Sequence, residues 1–114
     1  MYKLFNEEEY YGAIEYKAFI HFPFDEKKLR FTSQLNFRLI EGNGKAIYLV
    51  GVTDHGFLFC NKLKLLLISI YNLNKLLNNL NITYTCKLCT KYNYVFAIYI
   101  IKKTINNDLL DDIL

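Results

Sequence analysis

Apolar side chains recur along this chain at two periods, and the switches between them predict the elements. From Gly12 to Phe22, Ile14, Tyr16, Ala18 and Ile20 fall at every second position, the period of a half-buried strand, and Pro23 ends it. Asp25 is then placed to cap a first helix, with Glu26 in its first turn; Phe31, Leu35 and Leu39 share one face. Gly42 and Gly44, offering positive φ angles, stop that helix just beyond Ile40. Ala46 to Val52 is a near-continuous apolar run, read as a buried strand over 45–53, and Asp54-His55-Gly56 turns the chain into a hairpin partner over 57–60. Further on, Leu63, Leu66, Ile70, Leu73, Leu77 and Leu80 alternate spacings of three and four, the stripe of a helix laid on a sheet. After Asn81, strands over 82–88 and 94–103 form a hairpin around Thr90-Lys91-Tyr92-Asn93.

The predicted order is β-α-β-β-α-β-β. It is an α+β arrangement, a ferredoxin-like split β-α-β sandwich with one added strand, whose antiparallel sheet carries both helices on one face. Residues 1–10 read as a flexible acidic lead-in, 11–103 as a single α+β domain, and 104–114 as an acidic C-terminal tail. The uncovered sheet face, with its tyrosines, is then the binding surface.

Composition narrows the functional classes. A chain of 114 residues that is 53% hydrophobic and 17% aromatic builds one small core and is not disordered throughout. Twelve Lys against two Arg, with abundant Asn, Ile and Tyr, are residues written by A- and T-rich codons, pointing to an AT-rich genome such as a giant virus or a protist. Lysine and asparagine on the surface therefore record codon bias as well as any partner. The net charge of +3 is spread thinly and builds no nucleic-acid tail. Three cysteines close no disulfide framework, and Met1–Tyr10 carries Glu7-Glu8-Glu9 where a secretory leader would be basic and apolar. A reduced, cytoplasmic setting follows. The Leu63–Leu80 segment is broken by Lys64, Asn72, Asn74, Lys75, Asn78 and Asn79, so no membrane partner is expected.

The chemistry-bearing motifs are sparse. Nucleotide hydrolysis needs a glycine-rich loop ending in Lys and Ser or Thr; Gly42-Asn43-Gly44-Lys45-Ala46 is too short, and Gly51 to Gly56 continues into Phe57-Leu58. Cys86-Lys87-Leu88-Cys89 suits zinc if Cys60 and His55 complete the ligands, but in a strand the spacing sends the two sulfurs to opposite faces, favouring ordinary reduced thiols. His55 beside Asp54 has no evident nucleophile, His21 sits at a strand end, and Glu41 and Asp54 serve as loop carboxylates as readily as an acid–base pair. No catalytic residue, metal ligand or cofactor is assigned, and the chain is not expected to be an enzyme.

The segment Thr32 to Gly56 resembles the region just before the G domain in the GTP-binding protein 1 and 2 family, translational GTPases related to elongation factor Tu. Gln34, Arg38, Leu39, Glu41, Gly42, Gly44, Ala46, Tyr48, Gly51, Val52, Asp54 and Gly56 fit the family pattern, with Leu35, Phe37 and Val50 as conservative replacements. Lys45 stands where an acidic residue is usual, and Asn36 where a basic one is. Ile14-Glu15-Tyr16-Lys17 looks like the family's first strand, and Ile82-Thr83 with Val95–Lys103 falls where its last strands lie.

The resemblance implies a noncatalytic module in a translation setting. Its partners would be a protein or the ribosome, with a GTPase domain among them, and its contact positions Arg38, Glu41, Tyr48 and Asp54. In that family the GTP-binding loop lies beyond the point matching Leu114. A rival reading comes from His55-Gly56-Phe57-Leu58-Phe59, which is faintly similar to the aromatic strand of an RNA-recognition motif. It makes the chain a single-stranded RNA binder, stacking bases on Phe57 and Phe59 with Tyr16 and Lys17 nearby.

Overall fold

The computed structural model describes residues 2–104. It is α+β: strand β1 (Ile14–Lys17), helix α1 (Asp25–Glu41), strand β2 (Lys45–Val50), helix α2 (Leu63–Asn79), and strands β3 (Thr83–Lys91) and β4 (Tyr94–Lys102). They form one four-stranded sheet in the order β1-β2-β4-β3. Among the described residues no helix is long and apolar enough to cross a membrane.

Two predicted features of the sheet are corrected. β1 pairs with β2 in parallel, Ile14 beside Ile47 and Lys17 beside Val50, while β2–β4 and β4–β3 are antiparallel, so the sheet is mixed. The parallel pair is adjacent, not split by an intervening strand, and α1 provides the long crossover that parallel neighbours require. The second correction concerns 57–60, which forms three isolated bridges and no continuous strand: Lys3 to Phe57, Val52 to Leu58 and Cys60 to Val95. The hairpin ladder stops after one bridge: Thr53 N–H donates to Phe57 O at 2.9 Å and Phe59 N–H to Gly51 O at 2.8 Å, but Cys60 O then accepts from Val95 N–H of β4 at 2.9 Å and the chain enters α2 three residues after Cys60.

Helix α1 starts without the predicted side-chain cap. Asp25 is its first helical residue, not the cap; Phe24 occupies the cap position, and Asp25 and Glu26 face the positive end of the helix dipole. At its other end the left-handed positions are Asn43 (φ 54°) and Gly44 (φ 95°). Gly42 is needed for space instead, since a Cβ there would run into Lys45 O. The β3–β4 hairpin closes on Tyr92 and Asn93 with φ of 50° and 65°, the signature of a two-residue type I′ turn.

Both helices lie on one sheet face. Phe31, Leu35 and Leu39 of α1 and Leu66, Leu73 and Leu77 of α2 bury against Ala46, Tyr48 and Val50 of β2 and Ala97, Tyr99 and Ile101 of β4. Ser69 and Asn72 tie α2 to the chain leaving β1: Ile20 N–H donates to Ser69 Oγ and Asn72 Nδ2 donates to Ile20 O, each at 2.8 Å. These polar residues appear in the predicted helix only as gaps between leucines. Of the predicted tail, only Thr104 falls within the described residues.

Candidate functional site

The second sheet face is built by the alternate residues of the same strands, and half of it is roofed. Tyr16, Leu49 and Phe96 are buried beneath Leu58, with Phe5 packed against the cluster and its ring 5.6 Å from that of Phe96. The roof is the amino-terminal segment, residues 2–10, read from sequence as a loose lead-in. Here it lies in place as a strap. Leu4 and Phe5 both donate to Gly56 O, Glu8 N–H donates to Asp54 O at 2.8 Å, and Tyr16 Oη donates to Asn6 O at 2.8 Å. The Glu8 carboxylate accepts from Tyr16 N–H, and burial raises its pKa above the ordinary carboxylate value even though that hydrogen bond pulls it down.

Arg38 locks the strap from the helix side. Its guanidinium donates to the carbonyls of Glu9 (2.9 Å), Tyr10 (3.2 Å) and Gly12 (2.9 Å), and its Nε lies 2.6 Å from Glu15 Oε2. Gln34 also donates to Glu15, and Lys17 Nζ is 3.5 Å from its other oxygen. Arg38 is 1% exposed and Glu15 2%, so this cluster is internal architecture. Tyr48 is fully buried nearby, its hydroxyl without a hydrogen-bond partner among the described residues and its pKa raised by burial.

Arg38 and Tyr48, predicted as contact positions, are therefore interior residues. Glu41 and Asp54 are exposed, but far apart in role: Glu41 accepts from Gly12 N–H at the end of α1, and Asp54 sits on the turn under Glu8. The structure does not assemble the four into one patch. Phe57 and Phe59 alternate with buried Leu58 and so point away from the sheet, Phe57 with Lys3 Nζ 5.9 Å from its ring centre. Rings that could stack bases on the sheet itself, Tyr16 and Phe96, are closed off by the strap, and Lys17 lies on the helix side, its Nζ 5.4 Å from the Phe31 ring. Cys86 pairs with Tyr99 and Cys89 with Phe96, so their side chains leave opposite faces; Cys60 is buried, and its thiol is raised by that burial. Among the described residues no group of three or more His, Cys, Asp or Glu is placed to hold a metal. His55 is exposed on its turn, Nδ1 3.6 Å from Glu7.

The other half of the face is open. Ile14, 45% exposed, stands beside Ile47, and Ile98 and Ile100 continue the row across β4 in partial exposure. Strand parity places Lys45, Lys87 and Lys102 on the same face, with Thr83 and Thr85 between. The result is an isoleucine shelf rimmed by ammonium groups, and it holds no acidic residue of the strands. None of the predicted contact or base-stacking residues, Arg38, Glu41, Tyr48, Asp54, Phe57 and Phe59, lies on it. The sequence carries no alternation that marks it, because both sets of alternate positions within Tyr94–Lys102 are apolar up to Ile101.

Comparison with protein-family models, with curated proteins and with solved structures gave no match.

Proposed function

We propose that this chain is a noncatalytic binding module that docks a protein partner on the open half of its second sheet face. The observation that carries the reading is the shelf of Ile14, Ile47, Ile98 and Ile100, which leaves apolar surface in water beside Lys45, Lys87 and Lys102. Such a surface suits a segment that alternates apolar and acidic side chains: the isoleucines supply the area removed from water, and the lysines set orientation and approach rate. The likeness of 32–56 to the leading region of GTP-binding translation factors supports a translation setting, with the ribosome or a GTPase domain as the partner.

Co-sedimentation of the full chain with ribosomes tests this, wild type against Ile14→Glu with Ile100→Glu. Loss of co-sedimentation in the double variant, with an unchanged circular dichroism spectrum, is the expected result. Ribosome binding that survives both substitutions would place the contact elsewhere. The lysine rim favours one rival, attraction of single-stranded RNA by phosphate charge. Gel retardation at low salt, abolished by replacing Lys45, Lys87 and Lys102 with glutamine and untouched by the glutamates at 14 and 100, would decide for RNA.

A further inference from the structure

The edge of the sheet at β3 carries a separate surface. The turn at Tyr92-Asn93 makes Lys91 and Tyr94 a hydrogen-bonded pair, and every second pair from there to Thr83 and Lys102 is bonded as well. β4 shows the same parity, because Val95 sends its N–H the other way, to Cys60 O at 2.9 Å. The backbone N–H and C=O groups of Tyr84, Cys86, Leu88 and Thr90 therefore point out of the sheet. Among the described residues no strand lies on that side.

Helix α2 lies over β4, the next strand in from this edge. Its flank bearing Ser69 and Asn72 is turned toward Ile20 and the β1 side of the molecule. Roughly half a turn around the helix are Leu63, Leu67 and Tyr71. These are 50%, 46% and 64% exposed and, with Lys64 and Ile68, line a shallow groove of about 420 Å³ on the side of α2 turned away from its buried Leu66, Leu73 and Leu77, separate from the β3 edge. On β3 itself Leu88 is 54% exposed beside the unpaired backbone groups.

We propose that a second copy of this chain pairs with that edge, β3 running antiparallel to β3 about a twofold axis at Cys86. Charge selects the register. An axis at Lys87 would set Lys87 against its own copy, a like-charge pair directly opposed. The axis at Cys86 sets Lys87 opposite Thr85, Lys91 opposite Asn81, and Leu88 opposite Tyr84, and it bonds 84 with 88, 86 with 86, and 88 with 84. An axis at Leu88 would set Tyr84 against the Tyr92 turn, where no strand continues. The same axis lies at the centre of the outward-facing run Tyr84, Cys86 and Leu88, so each copy offers the other the same backbone groups, the self-complementarity an isologous interface requires. The isoleucine shelf, on the sheet face turned away from the helices, stays free in this dimer.

Sedimentation equilibrium of the full chain at sub-millimolar concentration tests the pairing. The wild type is expected to be a dimer. Thr85→Lys, at an exposed position, would face Lys87 of the other copy twice over and raise the dissociation constant roughly tenfold or more. Leu88→Pro removes an outward N–H at an edge position where proline is tolerated and should also give monomer. In a Cys89→Ser background, a short bismaleimide is expected to join the two copies through Cys86. A wild type that stays monomeric overturns the proposal. So does a dimer that ignores both substitutions, or one whose Cys86 residues cannot be cross-linked.

Discussion

Arg38 on helix α1 and Glu15 on strand β1 form a buried ion pair, Nε to Oε2 at 2.6 Å, that joins an edge strand to the helix crossing over it. Removing one partner of such a pair strands the other charge in a medium that solvates it poorly, at a cost of about 3–5 kcal/mol. Arg38→Met is therefore expected to lower the free energy of unfolding in urea by about that amount, with Lys17 recovering part of it. Glu15→Leu combined with Arg38→Met should cost less than Arg38→Met alone. Equal losses in the single and double variants would mean that the bonds from Arg38 to Glu9, Tyr10 and Gly12, not the ion pair, dominate.

Tyr48 gives a prediction of opposite sign. Its hydroxyl is buried without a partner, and an unsatisfied buried polar group costs about 1–3 kcal/mol. Tyr48→Phe keeps the ring against Phe31, whose centroid lies 5.7 Å away, and removes only the oxygen. The variant should be as stable as the wild type or up to about 2 kcal/mol more stable in chemical denaturation. A loss of stability would show that the hydroxyl has a partner in solution.

Glu8 makes stability depend on pH. Burial lifts its carboxyl above the unfolded value, so between the two values the folded chain holds more protons than the unfolded one. Stability contributed by this group is thus highest in acid and falls as pH rises through that window. Glu8→Gln keeps an acceptor for Tyr16 N–H without the charge. Urea midpoints measured from about pH 4 to 7 should show the variant gaining on the wild type as pH rises. Parallel curves would rule the effect out.

Gly56 holds the strap down. Its φ is +87°, and a Cβ there would meet Phe5 O of the strap. Gly56→Ala should cost about 1–3 kcal/mol and accelerate amide exchange at Leu4, Phe5 and Leu58, whose N–H groups bond across this junction. Exchange rates unchanged at those three amides would show that the strap does not depend on the turn.

The sequence shows where helices and turns form more clearly than how they assemble. The leucine stripe and the stop at 42–44 are local patterns: of the stripe Leu66, Leu73 and Leu77 are buried and Ile70 partly so, while Leu63 and Leu80 at its ends are exposed, and the helix does stop at 42–44. A hairpin around 90–93 was legible for the same reason, though its turn is only Tyr92-Asn93 and β3 runs on to Lys91, three residues past the expected end. The 57–60 strand was legible only in part: Thr53 and Phe59 close one hairpin bridge, but Leu58 N–H goes to Tyr2, more than fifty residues away in the chain, and Cys60 O to Val95 of β4. Arg38 and Glu41 look alike as polar residues near a helix end. Only packing shows that the first is internal and the second exposed, and the open shelf at Ile98 and Ile100 lies in a strand whose pattern alone suggests burial on both sides.

Periodicity by itself determined that this chain carries two amphipathic helices and a set of strands, since a side chain's direction along a helix or strand follows from its spacing. The tertiary structure decided the parallel pairing of β1 with β2, the strap over half of the second face, and the burial of Arg38 with Glu15. Those outcomes depend on backbone donors and acceptors, and on charges leaving water, finding partners 23 to 56 residues apart. No local window of sequence contains both members of such a pair.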